Sequence, residues 1–295
     1  MKILVFGHRG QVGSDLYQQL LDSHHEVIGV DRSQVDFGQP AAVAAAIATH
    51  QPELVINACA YTAVDKAETE QIIADAVNHL GVAAMAEACQ ALNIPTIHLS
   101  TDYVYAGDAT SPYREDAATA PLGSYGKTKL AGDQALAEKN PQHIILRTSW
   151  VFGEQGNNFV KTMLRLGESR DELSVVADQQ GKPTYAGDIV TAILAFVQAY
   201  EQARTLPWGV YHCASEGETT WHAFALAIFQ SALDCGLLPR SPTVHAIPTS
   251  GYPTPAPRPT YSVLNTDKLT QFLGHPLPHW QVGLNKLLSH LKAEA

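Results

Sequence analysis

Short apolar segments alternate with segments of helical length along the first half of the chain, and this alternation constrains the fold most strongly. The predicted strands are Lys2–Phe6, Glu26–Val30, Leu54–Asn57, Thr96–Ser100 and His143–Arg147. The predicted helices between them include Pro40–His50, Gln71–Leu92 and Gly123–Lys139. Continuous apolar runs of this length are typical of parallel strands that are covered on both faces. The alternation therefore predicts an α/β fold with a doubly wound parallel sheet.

A glycine pattern follows the first predicted strand. Gly7, Gly10 and Gly13 lie between that strand and a helical segment. Glycines at this point permit a tight turn and a close approach of the backbone to a pyrophosphate, which the N-terminus of the next helix then faces. A purely structural turn is the alternative, but the position directly after the first strand favours a Rossmann-like nucleotide site. Gln11 and Val12, which lie in the same loop, are further candidate cofactor contacts.

The alternation becomes less regular beyond about residue 150. Predicted elements there are Asn158–Ser169, Asp188–Gln202, Gly209–Ala214, Trp221–Asp234, Leu264–Phe272 and Trp280–Lys292. Gly251–Pro259 contains four prolines and cannot be helical, so it is either a rigid loop over a pocket or a linker. We expect a nucleotide-binding domain at 1–147, to which 185–214 return, and a smaller substrate-binding lobe at 148–184 and 215–295. Such a lobe covers the carboxyl ends of the strands, where open α/β sheets bind ligands.

The composition argues against several classes of partner. The formal net charge is −10, whereas a surface that binds duplex nucleic acid needs a basic excess, so no nucleic acid is expected. No apolar run reaches transmembrane length by inspection, so no membrane association is expected either. The four cysteines form no Cys-x-x-Cys pair, and His24-His25 is interpreted as a solvated turn. The expected location is the reducing cytoplasm.

A tyrosine and a lysine stand one helical turn apart. Tyr125 and Lys129 are four residues apart, so they share one face of the predicted helix. A phenol alone titrates near ~10, and an ammonium one turn away is expected to lower that pKa toward neutrality. By itself the pair is more simply a surface tyrosine and a solvated lysine. The strand that ends in Ser100-Thr101, together with the glycine loop, favours instead a proton donor for a carbonyl/alcohol couple.

Residues after the second strand bear on the choice of cofactor. Asp31 ends that strand, where an acid can hydrogen-bond the adenosine ribose and favours NAD over NADP. Arg32 and Arg9 can instead hold a 2′-phosphate, so we expect both NADPH and NADH to be used. Asp36 and Phe37 either flank the adenine or form a turn with one core aromatic.

The third and fourth strands supply further candidates. Small residues in the segment 57–62 let a cofactor lie flat across the edge of the sheet. Candidate cofactor contacts at this edge are Ala60, Tyr61, Thr62 and Leu99. Thr101 follows the fourth strand, and its hydroxyl can donate to the reacting carbonyl oxygen alongside Tyr125. A threonine at a strand end is more often only a turn former, but the Tyr125/Lys129 pair favours the functional role.

Together these motifs resemble the extended short-chain dehydrogenase/reductase superfamily, and within it the dTDP-4-dehydrorhamnose reductases. The segments that carry the resemblance are 6–13, 57–68, 100–105, 125–132, 147–152, 156–163, 178–184 and 253–259. They span nearly the whole chain. The glycine loop and Tyr-x-x-x-Lys are shared across the superfamily, whereas Ala-Val-Asp-Lys-Ala-Glu, Arg-Thr-Ser-Trp and Asn-Asn-Phe are much more specific.

The resemblance implies a reduction in which a hydride passes from NADPH or NADH to C4 of a dTDP-4-keto sugar. Tyr125 would protonate the developing alkoxide, and Thr101 would hydrogen-bond the same oxygen. Lys129 would hold the cofactor ribose and lower the pKa of Tyr125.

The resemblance also implies contacts with the substrate. Asp102 and Trp150 would contact the sugar, although core packing is an alternative for Trp150. Asn158 and Arg258 would lie on the side of the diphosphate. A solvated loop charge is the alternative for Arg258, but an arginine held between prolines suits diphosphate capture.

Some members of the resembled family dimerise around Mg²⁺ held by acidic residues. Asp15 and Asp188 match two of these acids, and His290 stands where a third acid would be. A missing carboxylate weakens a site for a hard, octahedral cation. The resemblance therefore implies a candidate Mg²⁺ site and a homodimer, both of which this replacement disfavours.

Two other functions compete with reduction. One is a non-catalytic NADP-binding regulatory subunit, against which the presence of Thr101, Tyr125 and Lys129 argues. The other is an epimerase or dehydratase of another nucleotide sugar. Dehydratases carry extra acids beside the catalytic threonine, whereas Thr101 is followed here by a single acid, Asp102, and then by Tyr103.

Overall fold

Six strands form one parallel sheet in the computed structural model, which describes residues 1–294. These strands are β1 (Lys2–Phe6), β2 (Glu26–Val30), β3 (Leu54–Asn57), β4 (Thr96–Thr101), β5 (His143–Thr148) and β10 (Gly209–His212). Their order is β10-β5-β4-β3-β1-β2, so the direction in which the sheet grows reverses between β1 and β3. A reversal of this kind opens a crevice at the carboxyl ends of the strands, where nucleotides bind. The predicted doubly wound sheet is therefore confirmed.

Helices cover both faces of this sheet. They are α1 (Gly13–Leu21), α2 (Pro40–His50), α3 (Gln71–Asp75), α4 (Gly81–Ala91), α5 (Ser124–Lys139) and α7 (Ala186–Ala203). Side chains alternate along a strand, so Ile3 and Val5 enter the core shared with α1 and α7, while Leu4 and Phe6 enter the core shared with α2 and α4. Fully buried strands of this kind explain why the apolar runs are continuous.

The helix predicted over Gln71–Leu92 is continuous but contains a π-helical turn at Ala76–Leu80. The stretch Gln71–Ala91 is long and apolar enough to cross a membrane by length and composition, so the expectation that no run reaches this length is wrong. Its apolar side chains Val77, Val82 and Met85 lie in the core against the sheet. Burial in this core accounts for the apolar composition.

The remaining elements form a second layer of structure at the carboxyl ends of the strands. Its strands are β6 (Val151–Phe152), β7 (Glu172–Val176), β8 (Gln180–Gly181), β9 (Thr184–Tyr185), β11 (Thr219–Thr220) and β12 (Thr243–Ile247). Its helices are α6 (Phe159–Ser169), α8 (Trp221–Asp234) and α10 (Trp280–Glu294), whereas α9 (Asp267–Leu273) packs on the sheet domain, where Leu269 joins the core shared with α7. The predicted helix at Leu264–Phe272 therefore begins three residues later than expected, at Asp267. A core of its own, which includes Phe152, Phe224 and Trp280, holds much of this layer together.

The proline segment runs back onto the sheet domain. It follows a single 3₁₀ turn at Thr249–Gly251 and has no regular structure beyond it. The backbone N–H of Ala256 donates to Asp65 Oδ1 at 3.2 Å. A Cβ atom at Gly123 would lie 3.5 Å from Pro257 Cδ, so the segment contacts the start of α5. These contacts place the segment beside the crevice rather than as a free linker.

Candidate active site

The glycine loop is shaped by two close backbone approaches. Gly7 has φ +80°, and a Cβ atom there would lie 2.9 Å from the Ala58 backbone after β3. A Cβ atom at Gly13 would lie 2.1 Å from the Gly7 carbonyl oxygen. Both positions therefore require glycine. Gln11 Nε2 donates to the Val151 carbonyl oxygen at 3.1 Å, which ties this loop to β6 on the other side of the crevice.

Charged groups surround the end of β2. Arg9 Nε lies 3.0 Å from Asp31 Oδ2, and the Ser33 hydroxyl donates to Asp31 Oδ1 at 2.5 Å. These hydrogen bonds, led by that of Ser33, hold the pKa of Asp31 below its usual value. Asp31 is thus an ionised acceptor at neutral pH, with Arg9 and Arg32 exposed beside it.

Asp36 and Phe37 are held in place by their own structural contacts. The backbone N–H of Gly38 donates to Asp36 Oδ1 at 2.9 Å, which is the geometry of a turn. Phe37 is 1% exposed and meets Phe6 edge to face, with 4.9 Å between the ring centroids. These contacts favour the turn and core interpretation over a role beside the adenine.

The segment that follows β3 is fixed by buried amides. Asn78 Oδ1 accepts from the backbone N–H of Tyr61 at 2.8 Å, and the Tyr61 hydroxyl donates to Glu70 at 2.7 Å. Ala60 and Thr62 flank Tyr61 with part of their surface open. The segment therefore keeps a fixed shape at the edge where the cofactor was predicted to lie.

Thr101, Tyr125 and Lys129 come together at the carboxyl end of β4 and the start of α5. They are 6%, 8% and 1% exposed, so the trio is buried. The Thr101 hydroxyl donates to Asp102 Oδ1 at 3.0 Å, and its oxygen accepts from the Tyr103 backbone N–H at 3.2 Å. Because a hydroxyl has a single hydrogen, Thr101 has none left for a substrate oxygen in this arrangement.

Burial changes the pKa values of the site. It raises the pKa of Tyr125 above its ordinary value, which is opposite to the direction expected from Lys129. Lys129 Nζ instead donates to the Leu99 carbonyl oxygen at 2.7 Å, and burial lowers the pKa of Lys129 to about 8. Burial also raises the pKa of Asp102 to about 6. The site therefore contains three groups whose protonation responds to what is bound beside them.

Trp150 forms a wall of the crevice just beyond β5. It adopts φ +47°, a strained conformation for a non-glycine residue. Its ring stacks on Trp221 with 3.6 Å between centroids and 9° between planes. A Cβ atom at Gly181 would lie 2.5 Å from the Trp150 ring, so glycine is required there for this stack. Trp150 is half-buried, and it packs against the hydrophobic core of the lobe.

Arg258 and Asn158 already have partners in the protein. Arg258 Nη2 donates to Asp65 Oδ2 at 2.8 Å, while its Nη1 is buried without a hydrogen-bond partner among residues 1–294. Asn158 caps α6 by accepting from the Lys161 backbone N–H at 3.1 Å, and its Nδ2 donates to Gln11 Oε1 at 2.9 Å. Asn158 thus joins the glycine loop to the lobe, whereas Arg258 joins the proline segment to Asp65.

Comparisons with known proteins agree with this arrangement. The family model described as RmlD substrate binding domain matches residues 1–293. A dTDP-4-dehydrorhamnose reductase of Shigella flexneri is 43% identical over 295 residues, which cover 99% of this chain and 98% of that protein. The crystal structure of a dTDP-4-dehydrorhamnose reductase from Clostridium acetobutylicum has a TM-score of 0.91 and 35% identity, covering 99% of this chain and 100% of that one. The Bacillus anthracis enzyme in complex with NADP has a TM-score of 0.90 and 33% identity, with coverage of 98% and 99%.

The chain belongs to the dTDP-4-dehydrorhamnose reductase family. The resemblance inferred from the sequence is thereby confirmed over its full length. The similarity of the two crystal structures extends to the lobe as well as to the sheet, since both cover nearly the whole chain.

The acids that the sequence predicted to hold Mg²⁺ form hydrogen bonds within the protein. Asp15 accepts from Gln19 Nε2 at 2.9 Å, and Asp188 is 4% exposed and accepts from the Ser215 hydroxyl at 2.8 Å. His290 lies 3.2 Å from Glu294 in the next turn of α10. Within residues 1–294, the group of potential ligands that gathers closely enough for a metal is His24, His25 and Glu201. Asp15 and Asp188 lie outside this group, and the Mg²⁺ site stays a prediction.

Sequence reasoning missed several residues that shape the site. Trp221 and Asp65 contact candidates that were predicted, but each is distant from its partner in sequence. His98 and Asp133 lie beneath Lys129 and look like ordinary core positions in the sequence. A polar residue in an otherwise apolar strand was the one available signal for His98.

Proposed function

We propose that the protein reduces the C4 keto group of dTDP-4-dehydro-L-rhamnose with a hydride from NADPH or NADH, giving dTDP-L-rhamnose. The observation that carries this proposal is the buried trio of Thr101, Tyr125 and Lys129 at the crevice of a full-length member of this reductase family. The NADP held by the Bacillus anthracis relative supports a nicotinamide cofactor.

The residues at the crevice fit such a cofactor. The loop at Gly7, Gly10 and Gly13 offers close backbone approach to the pyrophosphate, and Asp31 offers an acceptor to the adenosine ribose. Arg9 and Arg32 can meet a 2′-phosphate. Further contacts are proposed for Gln11, Val12, Ala60, Tyr61, Thr62, Leu99 and Lys129. When bound, the reduced nicotinamide supplies the hydride.

The protein's own part in the reaction is proton transfer and positioning. Tyr125 donates its proton to the oxygen of the ketone as negative charge develops there. Thr101 can donate to the same oxygen only after its hydrogen leaves Asp102. A sugar hydroxyl that donates to Asp102 would release that hydrogen. Substrate binding and the assembly of the donor pair are thereby coupled.

The lobe is proposed to recognise the nucleotide sugar. Trp150, stacked on Trp221, offers an apolar wall to the sugar, and the free Nη1 of Arg258 offers a donor to the diphosphate. Asn158 acts through Gln11 and the cap of α6. We propose 148–184 and 215–295 as the substrate lobe, since α7 and β10 lie in the sheet domain. A homodimer and a cytoplasmic location stay predictions.

The test is NADPH oxidation at 340 nm with dTDP-4-dehydro-L-rhamnose as substrate, with the product identified by mass spectrometry. Turnover to a product two mass units heavier supports the reductase. Stable binding of NADPH without turnover would favour the regulatory subunit instead. Conversion without net oxidation of NADPH would favour an epimerase of another nucleotide sugar.

A further inference from the structure

A buried polar cluster lies beneath the lysine of the active site. His98, on β4, places Nε2 3.2 Å from Lys129 Nζ. Asp133, one turn beyond Lys129 on α5, places Oδ1 3.9 Å from the same His98 nitrogen. His98 and Asp133 are 0% and 2% exposed, so water does not mediate these contacts from the surface. The charge on Lys129 is therefore governed by protein groups.

The partners of Asn57 fix the tautomer of His98. The backbone N–H of Cys59 donates to Asn57 Oδ1 at 2.9 Å, so the amide oxygen is engaged and Nδ2 faces the imidazole. Asn57 Nδ2, which has hydrogens and no lone pair to offer, lies 3.0 Å from His98 Nδ1. Nδ1 must therefore accept. A neutral His98 carries its hydrogen on Nε2, and burial keeps it neutral by lowering its pKa well below the ordinary value.

This tautomer presents an N–H group to Lys129. An ammonium has three donors and no acceptor, so His98 Nε2–H can hydrogen-bond Lys129 only when Lys129 is a neutral amine. The Leu99 carbonyl oxygen and the Asp133 carboxylate favour the ammonium instead.

The remaining titratable groups near Lys129 do not replace His98. The Cys59 thiol faces Lys129, but burial raises the pKa of that thiol to about 11, so it is neutral at working pH. Tyr125 stands one turn earlier on α5 and is likewise protonated. His143 lowers the pKa of His98 and is not among the groups that shift the pKa of Lys129.

We propose that His98 is a positioning residue that stabilises the neutral amine of Lys129, and that Asn57 maintains the tautomer this requires. The inference rests on the proposed function, in which the proton that Tyr125 gives to the substrate oxygen has to be replaced. When Lys129 gives up a proton to restore the phenol, its N–H bond breaks and a neutral amine remains. That amine accepts from His98 Nε2–H until it regains a proton from solvent.

The first test needs no substrate, and a variant serves only to assign the signal. Long-range ¹H–¹⁵N spectra of the imidazole rings distinguish the two neutral tautomers, and loss of one signal in His98→Gln assigns the ring. We expect His98 to be the neutral Nε2–H tautomer between pH 6 and pH 9. A Nδ1–H tautomer, or a charged imidazole in this range, would overturn the proposal.

The second test follows the pKa of Lys129 in the cofactor-free protein by ¹³Cε NMR of labelled lysines, with Lys129→Arg used for assignment. Glutamine at position 98 can turn its carbonyl oxygen to the ammonium, so His98→Gln should raise the pKa of Lys129 by about one pH unit. His143→Gln is the matched control, because it replaces a buried imidazole that contacts the Asn140 carbonyl oxygen. An unchanged Lys129 pKa in folded His98→Gln would refute the proposal.

Turnover provides a third and separate measurement. In His98→Gln the alkaline limb of the pH profile of kcat should move to higher pH, together with the pKa of Lys129. The KM for the keto sugar should stay within about two-fold of the wild-type value. A folded protein that shows the tautomer and the pKa change but never reduces the keto sugar would contradict the proposed function alone.

Discussion

The sheet domain and the lobe are built from different kinds of contact. Strands of the sheet are four to six residues long and pair with their neighbours along most of their length. In the lobe, β6, β8, β9 and β11 are only two residues long, and aromatic stacks do much of the packing. The sheet side of the crevice accordingly carries buried ionisable groups, and the lobe side carries flat apolar surface.

From this difference we infer which part of the reaction depends on the sheet domain and which on the lobe. Thr101, Tyr125 and Lys129 stand on long elements whose backbone positions are fixed by many hydrogen bonds. Trp150 and Arg258 stand on short or irregular segments, where a stacked ring and an ion pair position their side chains. We therefore expect changes on the sheet side to alter kcat and changes on the lobe side to alter KM. The predictions below test that division, from the largest effect to the smallest.

Replacing the proton donor should have the largest effect. Tyr125→Phe removes the phenol but keeps the ring, so kcat should fall roughly 10²–10⁴-fold while cofactor binding is nearly unchanged. Tyr103→Phe is the matched control, since its ring meets that of Tyr125 edge to face at 5.5 Å. Steady-state kinetics at 340 nm measure both variants. Near-normal turnover in Tyr125→Phe would remove this residue from the mechanism.

The buried carboxylate of Asp102 should lower the free energy of unfolding at neutral pH. Burial raises its pKa from 3.8 to about 6, so the folded protein binds more protons than the unfolded chain between these values, and stability falls as the pH rises through this window. The cost above pH 6 is about 3 kcal/mol. Asp102→Asn should therefore raise the free energy of unfolding at pH 7 by up to that amount and have little effect near pH 4, while it slows reduction.

Urea denaturation at the two pH values measures this change. Asp178→Asn is a useful contrast, because the Thr249 hydrogen bonds lower the pKa of Asp178 and its ionised form stabilises the fold. That variant should lose stability at pH 7. If Asp102→Asn also lost stability there, the buried charge would not be the cost that we assign to it.

The aromatic wall should act mainly on substrate binding. Trp221→Leu removes the ring that supports Trp150, and an aromatic pair of this kind is worth about 0.5–1.5 kcal/mol. The KM for the keto sugar should rise up to about 10-fold, with kcat changed much less. Trp208→Leu, in which the replaced ring packs near Tyr200 in the other core, is the control. A fall in kcat with unchanged KM would contradict the expectation that changes in the lobe alter KM and changes in the sheet domain alter kcat.

The smallest effect is expected at Asp31, the residue predicted to distinguish NADH from NADPH. Asp31→Ala removes an acceptor for the ribose and a repulsive charge near a 2′-phosphate, so the ratio of NADPH to NADH use should rise by about five-fold. Arg9→Ala should move that ratio in the opposite direction, because Arg9 pairs with Asp31. The kcat/KM values for the two cofactors measure both. An unchanged ratio in Asp31→Ala would mean that Asp31 does not contact the ribose.

The sequence predicted the sheet domain well because its signals are local. The five predicted strands and the glycine loop follow from apolar runs and turn residues that lie next to one another in the chain. The candidate trio was also found, since Tyr125 and Lys129 are spaced by one helical turn.

What the sequence did not predict depends on side-chain orientation, burial and distant contacts. Thr101 gives its hydrogen to Asp102, and the pKa of Tyr125 is raised rather than lowered, because burial outweighs the neighbouring charge. The pairing of Trp150 with Trp221 and of Arg258 with Asp65 joins residues far apart in the chain. Periodicity and spacing report nothing about such pairs.

The most direct test of the central claim follows the hydride itself. NADPH labelled with deuterium at the transferable C4 position is consumed with the keto sugar, and the product is examined by NMR. We predict one deuterium at C4 of the sugar in the wild type, and formation of the same product slowed roughly 10²–10⁴-fold in Tyr125→Phe. Product without deuterium, or deuterium retained in the cofactor while the sugar is converted, would contradict net reduction at this site.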